Sequence, residues 1–216
     1  MGALVLLSGF TKKDNVNLIK RMKEIFVDKK YTLSYIPSMT DKKLENFKKT
    51  KMQLSQYGNF EFNYFDIDDF CSIDTIDKIF KSDVIYLSGG NTYYFLNNLK
   101  KRYFITRLRR YVQNGGCIIG LCAGAIMMAN DISAAQFGGK DIVGLSNLSS
   151  LALVDFNFMP HWNKSSKYLE DIKKYSNNTG NIVYTCNDGD GIVVINNELQ
   201  FYGDINMIKE GEIEQV

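Results

Sequence analysis

From Ala3 to Met128 the chain alternates short continuous apolar runs with longer amphipathic stretches, and this constrains its fold more than any other feature. Ala3–Leu7, Thr32–Ile36, Phe60–Phe65, Val84–Leu87 and Ile118–Leu121 read as strands, being short, apolar and bounded by turn residues. Between them, helices are expected from about Asp14, from near Thr40 to Gly58, and over Ile73–Phe80, Tyr94–Leu99 and Ile105–Val112. A further one opens at Ala123–Met128. In the first, Val16, Ile19, Met22 and Phe26 recur at the spacing of one helical face. Strands that lack polar alternation are buried on both sides, which is the pattern of a parallel sheet covered by helices. The expected fold is α/β: a three-layer sandwich with a mainly parallel central sheet flanked by helices. Ile182–Thr185, Ile192–Ile195 and Leu199–Tyr202 are short strands joined by polar turns such as Asn196-Asn197, which predicts a C-terminal antiparallel hairpin at a sheet edge. No linker or repeat interrupts residues 1–216, so they read as one domain.

Composition narrows the function classes. Hydrophobic residues at 45% and charged residues at 23% are ordinary for a globular chain, and a net charge of +2 with dispersed lysines argues against nucleic acid or an anionic membrane as partner. The opening MGALVLLSGF is too short to span a bilayer and lacks a basic export signature, so a cytoplasmic location is expected. The four cysteines, Cys71, Cys117, Cys122 and Cys186, include no closely spaced pair of zinc type and read as reduced thiols. No metal or organic cofactor is implied. Cys117 and Cys186 lie in or beside apolar strands and read as buried packing residues, and Cys71 as an inert residue near a helix start.

In such folds sites form at the carboxyl ends of strands, and two strands here end in small-residue turns. Ser88-Gly89-Gly90-Asn91-Thr92 could present backbone N–H groups to an anion, although by itself it reads as an ordinary strand-to-helix connection. Gly120-Leu121-Cys122-Ala123-Gly124 has the spacing of a nucleophile elbow, where a strained central residue needs small neighbours two positions away on each side. It also sets Cys122 at a helix start, where positive dipole character favours a thiolate. A nucleophile of this kind is normally activated by a base, and the chain's single histidine, His161, lies in FMPHWNKSS at an expected strand end. The third member, an acceptor that orients the imidazole, is expected at Asp188, with Asp190 and Asn163 as further choices.

Taken together, SGGNT, GLCAGA, MPHW and CNDG, in that order, resemble the aspartyl dipeptidase (peptidase E) family. The resemblance runs from about Ser82 to Tyr202. It implies a flavodoxin-like fold related to class I glutamine amidotransferases, and a hydrolase acting on amide bonds of small peptides. Cys122 stands in the place of the nucleophilic serine, His161 in that of the base, and Asp188 where the family has a glutamate. The N–H groups of Gly90 and Ala123 would form the oxyanion hole, with Asn91 beside them. A further family aspartate maps to Asp141, or less well to Asp131. Lys167 is the one basic residue where the family places an arginine for an acidic substrate side chain. Because lysine lacks the forked geometry suited to carboxylate, strict preference for an N-terminal aspartate is not expected. A glutaminase-like amidohydrolase is an alternative, although Asn163 stands where that class carries glutamate. A non-catalytic binding protein is another. A small peptide or amide is the implied partner, with association into a homodimer left open.

Overall fold

A computed structural model describes residues 2–27, 29–69 and 72–216; the expectation for Cys71 falls outside these residues. The chain order is β1 (Leu4–Leu7), α1 (Val16–Ile25), β2 (Tyr31–Ile36), α2 (Glu45–Leu54), β3 (Phe60–Tyr64), α3 (Ile73–Lys81), β4 (Val84–Leu87), α4 (Thr92–Lys101), α5 (Phe104–Gln113), β5 (Cys117–Leu121) and α6 (Ala123–Ile126). There follow β6 (Asn157–Met159), α7 (Trp162–Ser165), α8 (Leu169–Thr179), β7 (Val183–Thr185), β8 (Gly191–Ile195), β9 (Glu198–Tyr202), β10 (Asn206–Lys209) and β11 (Glu212–Gln215).

The central sheet has the order β3-β2-β4-β5-β1-β8-β9; its first five strands are parallel and β8 and β9 are antiparallel. The C-terminal hairpin is thus present at an edge, turned by Asn196 and Asn197, both at positive φ as a two-residue hairpin turn demands. Side chains alternate across the sheet. Leu4 and Leu6 of β1 pack with α3, α4 and α5, whereas Val5 and Leu7 pack with Leu18 and Met22 of α1 and Leu54 of α2. Helices therefore cover both faces. Among the described residues no helix is long and apolar enough to cross a membrane.

The structure departs from expectation in three places. α2 begins at Glu45 rather than near Thr40, because the Asp41 carboxylate accepts from the Glu45 and Phe47 N–H groups and starts the helix from outside it. α6 ends at Ile126, before Met128. The Met127 carbonyl is taken by Leu151 N–H and the Ser150 hydroxyl, and the Met128 carbonyl by Leu153 and Val154 N–H groups. Most consequentially, the strand expected at Ile182–Thr185 does not join the central sheet. It is β7 of a second sheet of order β11-β10-β7-β6, in which β6 and β7 run parallel.

Candidate active site

Three strand ends of the central sheet meet here. At the end of β5, Cys122 adopts φ 49° and ψ −105°, a strained conformation for a residue with a Cβ. The strain is held by backbone bonds: Cys122 N–H donates to the Leu7 carbonyl at 2.9 Å, and its own carbonyl accepts from Ala125 and Ile126. The small neighbours are required. A Cβ on Gly120 would come within 2.5 Å of the Gly124 backbone, and one on Gly124 within 2.2 Å of the Leu87 carbonyl oxygen. With α6 only one turn long, few peptide dipoles add up behind Cys122. A second side chain faces its sulfur.

What faces it is His161. This residue follows β6, with φ 56°, and its Nε2 lies 3.1 Å from Cys122 Sγ. Its Nδ1 bonds Asp188 Oδ1, and the other carboxylate oxygen of Asp188 pairs with Lys164 Nζ. The parallel pairing of β6 with β7 explains this meeting. It carries the segments after the two strands out side by side, one bearing His161 and the other Asp188. The sulfur contact, working against burial and helped by Asp188, raises His161 from 6.5 to about 9. Burial pushes the Asp188 carboxyl up, but hydrogen bonds from Lys164 and His161 outweigh it and hold the group below the usual carboxylate range. Burial pushes Cys117 up to about 12 and Cys186 well above its ordinary value, which leaves both as inert thiols.

The remaining expected residues divide. Gly90 has φ 141°, and a Cβ there would lie 2.0 Å from Ser38 Oγ, so the turn requires glycine. Among the described residues, neither Gly90 N–H nor Ala123 N–H donates to a protein acceptor. Asn91 caps α4, accepting from Tyr94 N–H at 2.9 Å and donating to the Lys140 carbonyl at 2.8 Å. Asp141 spends its carboxylate on Val143, Gly144 and Leu145 N–H groups of its own loop, and Asp131 is bonded to Ser133. Asn163 accepts from Asp188 N–H at 3.4 Å rather than meeting the ring, and Asp190 accepts from Asp204 N–H. Lys167 lies over the Tyr168 ring, 5.0 Å from its centroid.

Three residues at the site were not singled out from sequence. Ser8, fully buried after β1, accepts from His161 N–H at 2.7 Å and donates to the Cys186 carbonyl at 2.9 Å. Gly9 leaves room for the pair, since a Cβ there would lie 2.2 Å from Asp188 Oδ1 and 3.1 Å from His161 Cε1. Lys164 is the third. Ser8-Gly9 ends a parallel strand as the other two turns do, and that position was the available signal.

A profile of peptidase family S51 matches residues 4–202. The chain belongs to peptidase family S51. This S51 chain is 36% identical over 90 residues to the uncharacterized peptidase Lmo0363 of Listeria monocytogenes, covering 41% of this chain and 44% of that protein. It is 33% identical over 88 residues to the uncharacterized peptidase PM1590 of Pasteurella multocida, covering 40% and 42%. The chain thus spans under half the length of these curated relatives in the matched regions. A solved structure from Listeria monocytogenes EGD-e, provisionally assigned as a peptidase E protein, superposes with a TM-score of 0.72 at 23% identity, covering 100% of this chain and 99% of its own. A peptidase from an acI-B1 actinobacterium gives 0.71 at 17% identity, covering 100% and 94%. At these identities the likeness is one of fold. The peptidase E resemblance of the motifs and the family match agree.

Proposed function

We propose that the chain hydrolyses amide bonds of small peptides, with Cys122 as nucleophile, His161 as its acid–base partner and Asp188 as the orienting carboxylate. The observation that carries this is the unbroken chain of contacts from Cys122 Sγ through both nitrogens of the only imidazole to Asp188. With His161 raised to about 9, the ring is protonated at neutral pH beside the sulfur. In the proposed reaction the sulfur attacks the substrate carbonyl, and the oxyanion forms opposite the Gly90 and Ala123 N–H groups. One such donor is worth roughly 3 kcal/mol in related chemistry. His161 then gives its proton to the leaving nitrogen as the C–N bond breaks. Water, deprotonated by the now neutral ring, cleaves the thioester and restores the thiolate and imidazolium. Asp188 holds the ring tautomer and stabilises its charge.

Because Lys167 rests on Tyr168, the reading includes acceptance of short peptides not narrowly restricted to aspartate. The test is a panel of Asp-, Glu-, Ser- and Ala-initiated dipeptides and free glutamine, given to wild type and Cys122→Ala in parallel. Cleavage of dipeptides by wild type alone is expected; cleavage of glutamine alone would move the assignment to a glutaminase-like enzyme. Limiting iodoacetamide should alkylate Cys122 ahead of the buried Cys117 and Cys186. No labelling before denaturation would favour a binding protein instead.

A further inference from the structure

His161 and Lys164 lie three residues apart at the start of α7, and both reach the same carboxylate. His161 meets Asp188 Oδ1 through Nδ1, and Lys164 Nζ donates to Oδ2. Asn163, between them, accepts from the Asp188 N–H at 3.4 Å. One helical turn thus grips Asp188 at three points. The turn is itself anchored. Trp162 is buried and its N–H donates to the Cys186 carbonyl at 3.0 Å, and Lys164 N–H donates to the His161 carbonyl at 2.8 Å. The Asp188 side chain is only 9% exposed, whereas that of Lys164 is 68% exposed. The ammonium therefore approaches the carboxylate from the solvent side and caps it. An ion pair with so exposed a partner adds little to stability, because water competes for both groups. The effect of this one falls on the ring that shares the carboxylate.

Two cations on one carboxylate oppose each other. An imidazolium beside a lone carboxylate keeps the full attraction, and one beside a carboxylate already paired with an ammonium keeps less of it. Burial pushes the Asp188 carboxyl up, and of the contacts that hold it down the Lys164 hydrogen bond is foremost, ahead of His161. The groups acting on the ring are Cys122, from the end of β5, and Asp188, from the segment after β7, and both raise its proton affinity. Those around Asp188 are His161, Lys164 and the uncharged Ser8 hydroxyl, 3.5 Å from Oδ1. Asp190 accepts from Asp204 N–H instead. Among the described residues, Lys164 is the charge in this group that works the other way. The ring needs such a counterweight. It must release a proton to the leaving nitrogen and then stay neutral long enough to deprotonate water, and too basic an imidazole does neither well.

We propose that Lys164 is a positioning residue acting through Asp188: it draws off part of the carboxylate's attraction and so makes His161 a better proton donor to the leaving nitrogen and a freer base toward water. The proposal rests on the peptidase reading for its consequence in turnover, but its first measurement needs no substrate. Follow the single imidazole by NMR across pH in wild type, Lys164→Met and Lys164→Arg. Methionine keeps an unbranched apolar stem and removes the charge. The ring should titrate about half a pH unit higher in Lys164→Met, and within about 0.2 unit of wild type in Lys164→Arg. In dipeptide hydrolysis the alkaline limb of kcat/KM should move up with the ring in Lys164→Met. At neutral pH its kcat should fall about threefold or more while KM changes less than about twofold, and Lys164→Arg should restore both. A ring that titrates unchanged or lower in Lys164→Met, or that moves equally in Lys164→Arg, would overturn the inference. So would a loss of kcat with the alkaline limb in place, since a merely structural lysine would give that result. The expected ring shift without cleavage of any dipeptide by the wild type would sink the peptidase reading and leave the role of Lys164 standing. Lys164→Met should melt within about 2 °C of wild type, as expected for an exposed pair; a large loss of stability would show that the contact serves the fold and would count against the inference.

Discussion

His161 is the one imidazole in the chain, and its titration can be followed without ambiguity. Its folded value of about 9 lies above its ordinary 6.5, foremost because of the Cys122 contact. The stabilisation it brings is therefore complete below about 6.5 and is lost as pH rises through about 9. NMR should show the ring titrating near 9 in the wild type and lower in Cys122→Ala; a wild-type value near 6.5 would mean that no ion pair forms. Since the protonated ring serves the leaving group, kcat/KM should fall through the same alkaline range. Asp188 and Asn163 offer a second comparison at this scale. Asp188→Asn removes a carboxylate bonded to Nδ1 and should lower kcat by at least roughly a hundredfold, the scale of general acid–base catalysis. Asn163→Ala touches only the Asp188 backbone and should cost less than about threefold. Equal losses would mean that the carboxylate is not what orients the ring.

The elbow is an element whose geometry rests on missing side chains. Gly120 and Gly124 let β5 turn into α6 against β4, and the atoms that a Cβ would strike are backbone atoms that cannot swing aside. Gly124→Ala should therefore lower the free energy of urea unfolding by about 2 kcal/mol or more, in the range of core overpacking. Gly138→Ala is the control: its Cβ would find only the Met159 methyl at 3.9 Å, and its effect should stay within roughly 0.5 kcal/mol. Similar losses at both positions would show that loss of backbone freedom, rather than crowding, sets the cost. Both glycines were legible in the sequence because an elbow needs them whatever surrounds it. The end of α6 was not, because the 150–154 segment claims its last carbonyls. That segment is distant in sequence, and helical periodicity carries no trace of it.

At the scale of the whole molecule, the candidate site is a junction between two sheets. The central sheet supplies Cys122 and Ser8, and the second sheet supplies the segments bearing His161 and Asp188. Ser8 fastens the junction by accepting from one of those segments and donating to the other. Ser8→Ala would leave His161 N–H and the Cys186 carbonyl without that partner. It should cost about 1–3 kcal/mol in unfolding and lower kcat more than it raises KM, with Ser8→Thr restoring part of both. A change in stability with kcat untouched would make Ser8 structural alone. The sequence by itself determined the alternation of strands and helices, the edge hairpin and the elbow, and it singled out Cys122 and His161 as candidates, because each is written in local pattern or in residue chemistry. It also put Asp188 ahead of Asp190 and Asn163 for the ring, but it read the strand before Asp188, Ile182–Thr185, as part of the edge of the central sheet. Only the tertiary structure decided that this strand belongs to a second sheet, since pairing partners are chosen by packing across long separations. The exposed β11 offers no buried face by which periodicity could announce that sheet. For the same reason Lys164 was silent, and Ser8 and Gly9 showed only their place at a strand end: a serine, a glycine and a lysine acquire their full meaning here only from what the fold brings against them.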